Sequence, residues 1–182
     1  MPHPLQTSQP ALILCLQLDP ASFARLDALR QAHFPPERNH LSAHLTLFHT
    51  LPGTMLEEIS ANLATLASGT PPMALRFAGL RGLGSGVAFT VESPALVALR
   101  GLLASAWHAV LGAQDKQGFR PHVTVQNKVT TPQAQALMAE LQDGFMPWEG
   151  QGEGLALWHY RGGPWEPAAT FRFSGSGKSA DR

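Results

Sequence analysis

Ala11 to Leu18 is a short, nearly unbroken apolar run that reads as one buried strand. Asp19 and Pro20 then supply an N-cap and a first helical residue. Phe23, Leu26, Leu29 and Ala32 recur at three-residue spacing to about His33, where Pro35 and Pro36 stop the helix. Ala43 to Phe48 is rich in β-forming residues and alternates apolar with polar positions. Thr54 and Glu57 have the spacing of a capping box, opening a helix that carries Leu56, Ile59, Leu63 and Leu66. Met73 to Leu80 and Val87 to Glu92 read as strands joined by a turn at Gly82, Gly84 and Gly86. Gly-x-Gly-x-Gly also occurs in phosphate loops, but here no helix and no Walker-type lysine follows, so it predicts a hairpin. Ser93 and Pro94 start a helix that runs to a stop at Gly112, and Val123 to Gln126 is a short strand. Thr131 and Pro132 begin a helix ending near Gly144, and strands follow around Leu155 to Tyr160 and Thr170 to Phe173.

From Asp19 onward the order helix, strand, helix, strand, strand occurs twice, the second time from Ser93. With His44 and His122 as origins, 78 residues apart, the matching helices and strands start at nearly equal offsets. That is a divergent duplication at a period far longer than a solenoid repeat. It predicts two similar α+β lobes facing each other across a groove, built from residues 11–173 as a single domain. Residues 1–10 carry three prolines without periodicity, and 174–182 is a Gly/Ser/Lys tail; both ends are expected to be flexible.

Composition narrows the function. In 182 residues, 44% hydrophobic content supports a sizeable core, and 13 Lys plus Arg balance 13 Asp plus Glu. This balance argues against a broad phosphate-tracking surface such as double-stranded DNA requires, while leaving room for a small anion or the end of a nucleic acid. The single cysteine, Cys15, has no intrachain partner and sits in the apolar run, which fits a buried inert thiol and a reducing compartment. No apolar stretch is long enough to span a membrane, and no secretory signal precedes the first strand. A cytoplasmic protein is expected.

The candidate chemistry lies at the repeat origins, His44-Leu45-Thr46-Leu47 and His122-Val123-Thr124-Val125. Strand side chains alternate between faces, so His44 shares a face with Thr46 and His122 with Thr124, the apolar residues pointing to the core. Two imidazoles with ordinary pKa near 6.5 can divide general acid and general base work around neutral pH. Phosphodiester cleavage needs this division: the attacking oxygen loses a proton while the leaving oxygen gains one. The threonine hydroxyls can hold the non-bridging oxygens, and the scheme requires neither metal nor other cofactor.

In these motifs, and in the Phe119-Arg120-Pro121 approach to the second and the Phe48 continuation of the first, the chain resembles the 2H phosphoesterases. This superfamily includes the 2′-5′ RNA ligase-like proteins and cyclic nucleotide phosphodiesterases. The resemblance implies a bilobal α+β fold around a central cleft and a monomer acting without metal or ATP. It implies hydrolysis of a 2′,3′-cyclic phosphate, on a small cyclic nucleotide or an RNA end, to a 2′-phosphate, sometimes with reversible 2′-5′ joining of RNA ends. By the same analogy His44 protonates the leaving 3′ oxygen, His122 activates water, and Thr46 and Thr124 bind phosphate. One position departs from the pattern. The arginine that many ligase-like members carry five residues after the second histidine is Asn127 here, with Lys128 beside it, which weighs against RNA joining. On a regular strand Lys128 follows the wrong alternation, and only a bulge would re-aim it.

Two rival functions are open to the sequence. In a metal hydrolase, His40, His44 and His49 would supply ligands, but four residues along a strand span about 13 Å, too far to share one zinc. On a regular strand His49 also falls opposite His44 and reads as a strand-end residue. A non-catalytic RNA-end or nucleotide-binding module is the second rival; it has no need of both imidazoles. His33, His108 and His159 carry no partner motif, and Trp107, Trp148, Trp158 and Trp165 read as packing residues.

Overall fold

The computed structural model describes residues 9–177, so 1–8 and 178–182, most of the two expected flexible ends, lie outside the described residues. Of the expected tail, Ser174 and Gly175 donate backbone hydrogen bonds to Ala67 and Thr70. The described residues form seven strands and four α-helices, an α+β fold on one antiparallel sheet. Strand β1 (Ala11–Leu18) leads into α1 (Pro20–His33), whose first turn is capped by Asp19 accepting from the Ser22 amide at 2.9 Å. After β2 (Leu45–Leu51) comes α2 (Leu56–Gly69), then the hairpin β3 (Met73–Gly82) and β4 (Val87–Glu92). Then follow α3 (Pro94–Ala106), β5 (His122–Gln126), α4 (Thr131–Gln142), β6 (Trp148–Tyr160) and β7 (Glu166–Arg172).

Several elements differ from the sequence reading for physical reasons. Of the expected α1 stripe, Leu26 is buried and Leu29 packs partly on the core, but Phe23 stays 38% exposed and Ala32 is exposed, and Ser22 and Arg30 are buried with Leu26. Thr54 and Glu57 make no capping box, because a 3-10 turn over Gly53–Met55 precedes α2 and leaves Met55 at the cap position. Helix α3 stops at Ala106, where buried Trp107 turns the chain into a 3-10 turn, six residues before Gly112. Helix α4 begins at Thr131 as expected, and a capping box that the sequence reading did not include, Thr130 with Gln133, closes its first turn.

The sheet runs β2-β1-β6-β3-β4-β5, with β7 also paired to β6. The thirteen-residue β6 joins its two parts: Trp148 to Gly152 pair with β3, and Gly152 to Tyr160 with β1. The halves of the sheet do not coincide with the halves of the sequence. The β3–β4 hairpin of the first repeat lies against β5, and β6 and β7 of the second lie against the β1–β2 side, so the repeats exchange strand pairs. Although β2 and β5 stand at opposite ends of the path, they approach within 8 Å between Cα atoms. One apolar cluster runs from Leu12 and Leu45 across to Leu96 and Val123, tying both sides together.

Both motif strands carry an irregularity at the same place. In β2, Cys15 faces Thr46 but Leu14 faces Phe48, so Leu47 is an extra residue. In β5, Ala88 faces Thr124 but Val87 faces Gln126, so Val125 is extra. Leu47 and Val125 have the same spacing as His44 and His122. Each bulge buries two successive side chains, Leu47 with Phe48 and Val125 with Gln126, and inverts the alternation beyond it.

Candidate active site

His44 stands immediately before β2 and His122 opens β5, and the two rings are anchored alike. Nδ1 of His44 donates to the Ser42 carbonyl at 2.8 Å, and Nδ1 of His122 to the Arg120 carbonyl at 2.8 Å. A carbonyl can only accept, so the bond places the hydrogen on Nδ1 and leaves Nε2 as the working nitrogen of each ring. Thr46 and Thr124 are half-buried on the same strands, Thr46 with its hydroxyl 3.9 Å from the Cys15 sulfur. Burial pushes that thiol up to about 12, so Cys15 is inert.

The approach of β2 to β5 brings the two motifs together in crossed pairs. A cavity of about 470 Å³ is lined by Thr46 of the first motif and His122 of the second. A neighbouring one of about 300 Å³ is lined by His44 of the first and Thr124 of the second. Burial lowers the His44 pKa from 6.5 to about 4, helped by the charges of Arg30, His122 and His49, against the opposing hydrogen bond to Ser42. Part of the cover is Trp165, whose ring lies tilted on His44 with centroids 4.7 Å apart. Trp165 is therefore a wall of the site, where the sequence suggested only packing; Trp107, by contrast, belongs to the core.

Two buried arginines that no sequence motif singles out hold the motif strands. Arg30 on α1 is 4% exposed and donates through Nη1 to the Thr124 carbonyl and through Nε to the Leu41 carbonyl and Asn39 Oδ1, each at 2.9 Å. Arg100 on α3 donates to the carbonyls of Leu47 and Asp115. Each helix thus fixes the strand of the other motif.

His49 corrects the sequence reading. The bulge at Leu47 returns it to the cleft side, where it lines the larger cavity with Thr46 and His122. Its Nδ1 is 2.9 Å from Oδ1 of Asp115, a carboxylate only 2% exposed that also accepts from the His49 and Thr50 amides. Burial alone would raise the pKa of Asp115, but the hydrogen bonds from the His49 ring and the two amides outweigh it and hold the carboxyl below its usual range. In the second motif, Asn127 and Lys128 line the cavity that holds His44. Asn127 accepts from Ser85 Oγ at 2.8 Å, and Lys128 adopts a left-handed backbone with φ of 60°. Among the described residues no three His, Cys, Asp or Glu side chains converge as a metal-ligand set, His40, His44 and His49 included.

Two imidazoles with matching anchors thus stand crossed with two threonines in a cleft between strand ends. Residues 18–164 match the family described as the 2′-5′ RNA ligase superfamily, and the chain belongs to that family. Similar solved structures include TT0787 of Thermus thermophilus, with TM-score 0.66 and 20% identity over 92% of this chain and 100% of that one. A protein described as a phosphoesterase has TM-score 0.60 and 19% identity over 91% of this chain and 99% of that one. E. coli LigT complexed with 3′-AMP has TM-score 0.57 and 18% identity over 91% of this chain and 98% of that one. No curated protein sequence matches the chain significantly. Among the described residues no helix is long and apolar enough to cross a membrane.

Proposed function

We propose that the protein is a metal-independent phosphodiesterase, a cytoplasmic monomer that hydrolyses 2′,3′-cyclic phosphates of nucleotides or RNA ends to 2′-phosphates. The observation that carries this reading is the matched anchoring of His44 and His122 by their Nδ1 atoms, on strands that approach each other from opposite ends of the sheet. His122 Nε2 takes a proton from water as the water oxygen bonds to phosphorus. The bond from phosphorus to the 3′ oxygen breaks, and His44 Nε2 gives that oxygen its proton, leaving a 2′-phosphate and a free 3′-hydroxyl. Thr46 and Thr124 hydrogen-bond the non-bridging oxygens as charge builds on them.

His44 is neutral at pH 7 in the free protein, so its role as acid requires a proton to arrive with the substrate. The negative phosphate placed beside the ring favours that protonation and offsets the surrounding cations. E. coli LigT has been solved with 3′-AMP, NADP+ and ATP, which supports a small nucleotide as ligand. With a 5′-hydroxyl in place of water as the attacking group, the same step would join RNA ends through a 2′-5′ linkage. With Asn127 where many ligase-like members have arginine, hydrolysis is the primary activity we propose.

The test is a screen of cyclic mononucleotides and short RNAs ending in 2′,3′-cyclic phosphate, with the position of the product phosphate determined. Turnover to a 2′-phosphate is expected. Binding without turnover would move the assignment to a nucleotide-binding module, and a 3′-phosphate product would reverse the geometry assigned to the two histidines.

A further inference from the structure

The larger cavity beside His122 carries more positive charge than one phosphodiester needs. Arg81, at the end of β3, and Arg120, on the approach to β5, both line it. Among the described residues neither guanidinium has a side-chain hydrogen bond or an ion pair. Arg100 also reaches this cavity, but it is buried and two of its donors are committed to the backbone carbonyls of Leu47 and Asp115. Asp115 is the one carboxylate in the lining among the described residues, and its oxygens are occupied by the His49 ring and by the amides of His49 and Thr50. His49, with Nδ1 fixed on Asp115, keeps Nε2 without a protein partner among the described residues. A volume of about 470 Å³ lies within the range of about 300–1,000 Å³ common to small-molecule sites.

From this arrangement we infer that His49, Arg81 and Arg120 form a second anion subsite, next to the scissile phosphate, that takes the 5′-phosphate of the substrate nucleotide. Guanidinium groups recognise phosphate through paired charge-assisted hydrogen bonds, and two of them with no competing carboxylate select a ligand with a second phosphate. The favoured substrate is then a 5′-phosphorylated nucleoside 2′,3′-cyclic phosphate. That phosphate is either terminal or, at an RNA end, the linkage to the preceding nucleotide. The subsite rests on the proposed function only for the identity of the central phosphate.

The first test is calorimetric binding of adenosine 2′,5′-bisphosphate against adenosine 2′-monophosphate. The bisphosphate is expected to bind at least about tenfold more tightly. In Arg81→Gln/Arg120→Gln the ratio should fall to within about twofold, while Arg172→Gln, which removes a charge from exposed β7, should keep it. Equal affinities in the wild type, or an unchanged ratio in the folded double variant, would overturn the subsite. The second test compares kcat/KM on adenosine 2′,3′-cyclic phosphate, its 5′-phosphorylated form and a dinucleotide with the same cyclic end. A gain with both phosphorylated substrates supports the shared chemistry, and a gain confined to the dinucleotide identifies the RNA linkage as the source. If no cyclic phosphate is hydrolysed but the bisphosphate preference stands, the phosphodiesterase assignment fails and the subsite survives.

Discussion

Replacing Trp165 by alanine tests the electrostatics of His44. The indole lies 4.7 Å from the imidazole between ring centroids, and burial is the largest cause of the drop from 6.5 to about 4. At about 1.4 kcal/mol per pKa unit, that drop is on the order of 3 kcal/mol between the two protonation states. Removing the indole lets water reach one face of the ring, while Arg30, His122 and His49 still repel the proton. Recovery should therefore be partial, about one pH unit. At pH 5 the wild-type ring should be about one-tenth protonated and the Trp165→Ala ring about half. The assay is an NMR titration of the imidazole Cε1 proton, assigned by its disappearance in His44→Gln. The acidic limb of kcat/KM, which reports the free enzyme, should move in parallel. A wild-type midpoint near 6.5, or one unmoved by Trp165→Ala, would refute the argument from burial.

Three further outcomes follow from the same geometry. Thr46→Val and Thr124→Val keep the β-branched shape and remove the hydroxyl, so kcat/KM should fall by roughly 10- to 10³-fold with little change in melting temperature; loss of stability with intact kcat/KM would make them core hydrogen-bonders. Arg30→Met strips donors from the Thr124 and Leu41 carbonyls and from Asn39, and chemical denaturation should show a loss of about 2–4 kcal/mol together with lower activity as β5 loosens. The lowered pKa of His44 also sets the sign of a stability effect. Between pH 6.5 and about 4 the unfolded chain holds more protons at this residue than the folded one, so stability should decline as pH falls through that window. The slope should be shallower in His44→Gln, as measured by urea melts at a series of pH values.

Much of the fold could be read where the determinants are local. The run Ala11 to Leu18, the Asp19 cap with Pro20, the glycine hairpin and the Ser93-Pro94 helix start all act through neighbouring residues, and each appears where expected. The first half of β6 was hidden because Gly150, Gly152 and Gly154 remove the apolar alternation. A Cβ at Gly150 would meet the side chains of Asp19, Ser22 and Phe77, and one at Gly152 those of Leu16 and Met73, so the glycines exist for contacts distant in sequence. The motifs stood out because chemistry and duplication coincide on His44, Thr46, His122 and Thr124. His49 was misplaced because a bulge depends on how β2 registers with β1. Its spacing from His44 nevertheless equals that of Asn127 from His122, a signal that the duplication offered. Arg30 belongs to no sequence motif, and only the docking of α1 on β5 buries it.

The central claim, that two histidines on opposed strands share one proton relay without a metal, is tested by turnover of adenosine 2′,3′-cyclic phosphate. The protein is first dialysed against a chelator and shown by elemental analysis to be metal-free. Wild type, His44→Ala, His122→Ala and the double variant are then compared. The account predicts adenosine 2′-phosphate from the metal-free wild type and a drop in kcat of about 10² to 10⁴ in each single variant. It also predicts a double variant little below the worse single one, as expected of groups that act as a unit. Activity restored only by zinc or manganese, normal turnover in either single variant, or full additivity in the double would contradict it.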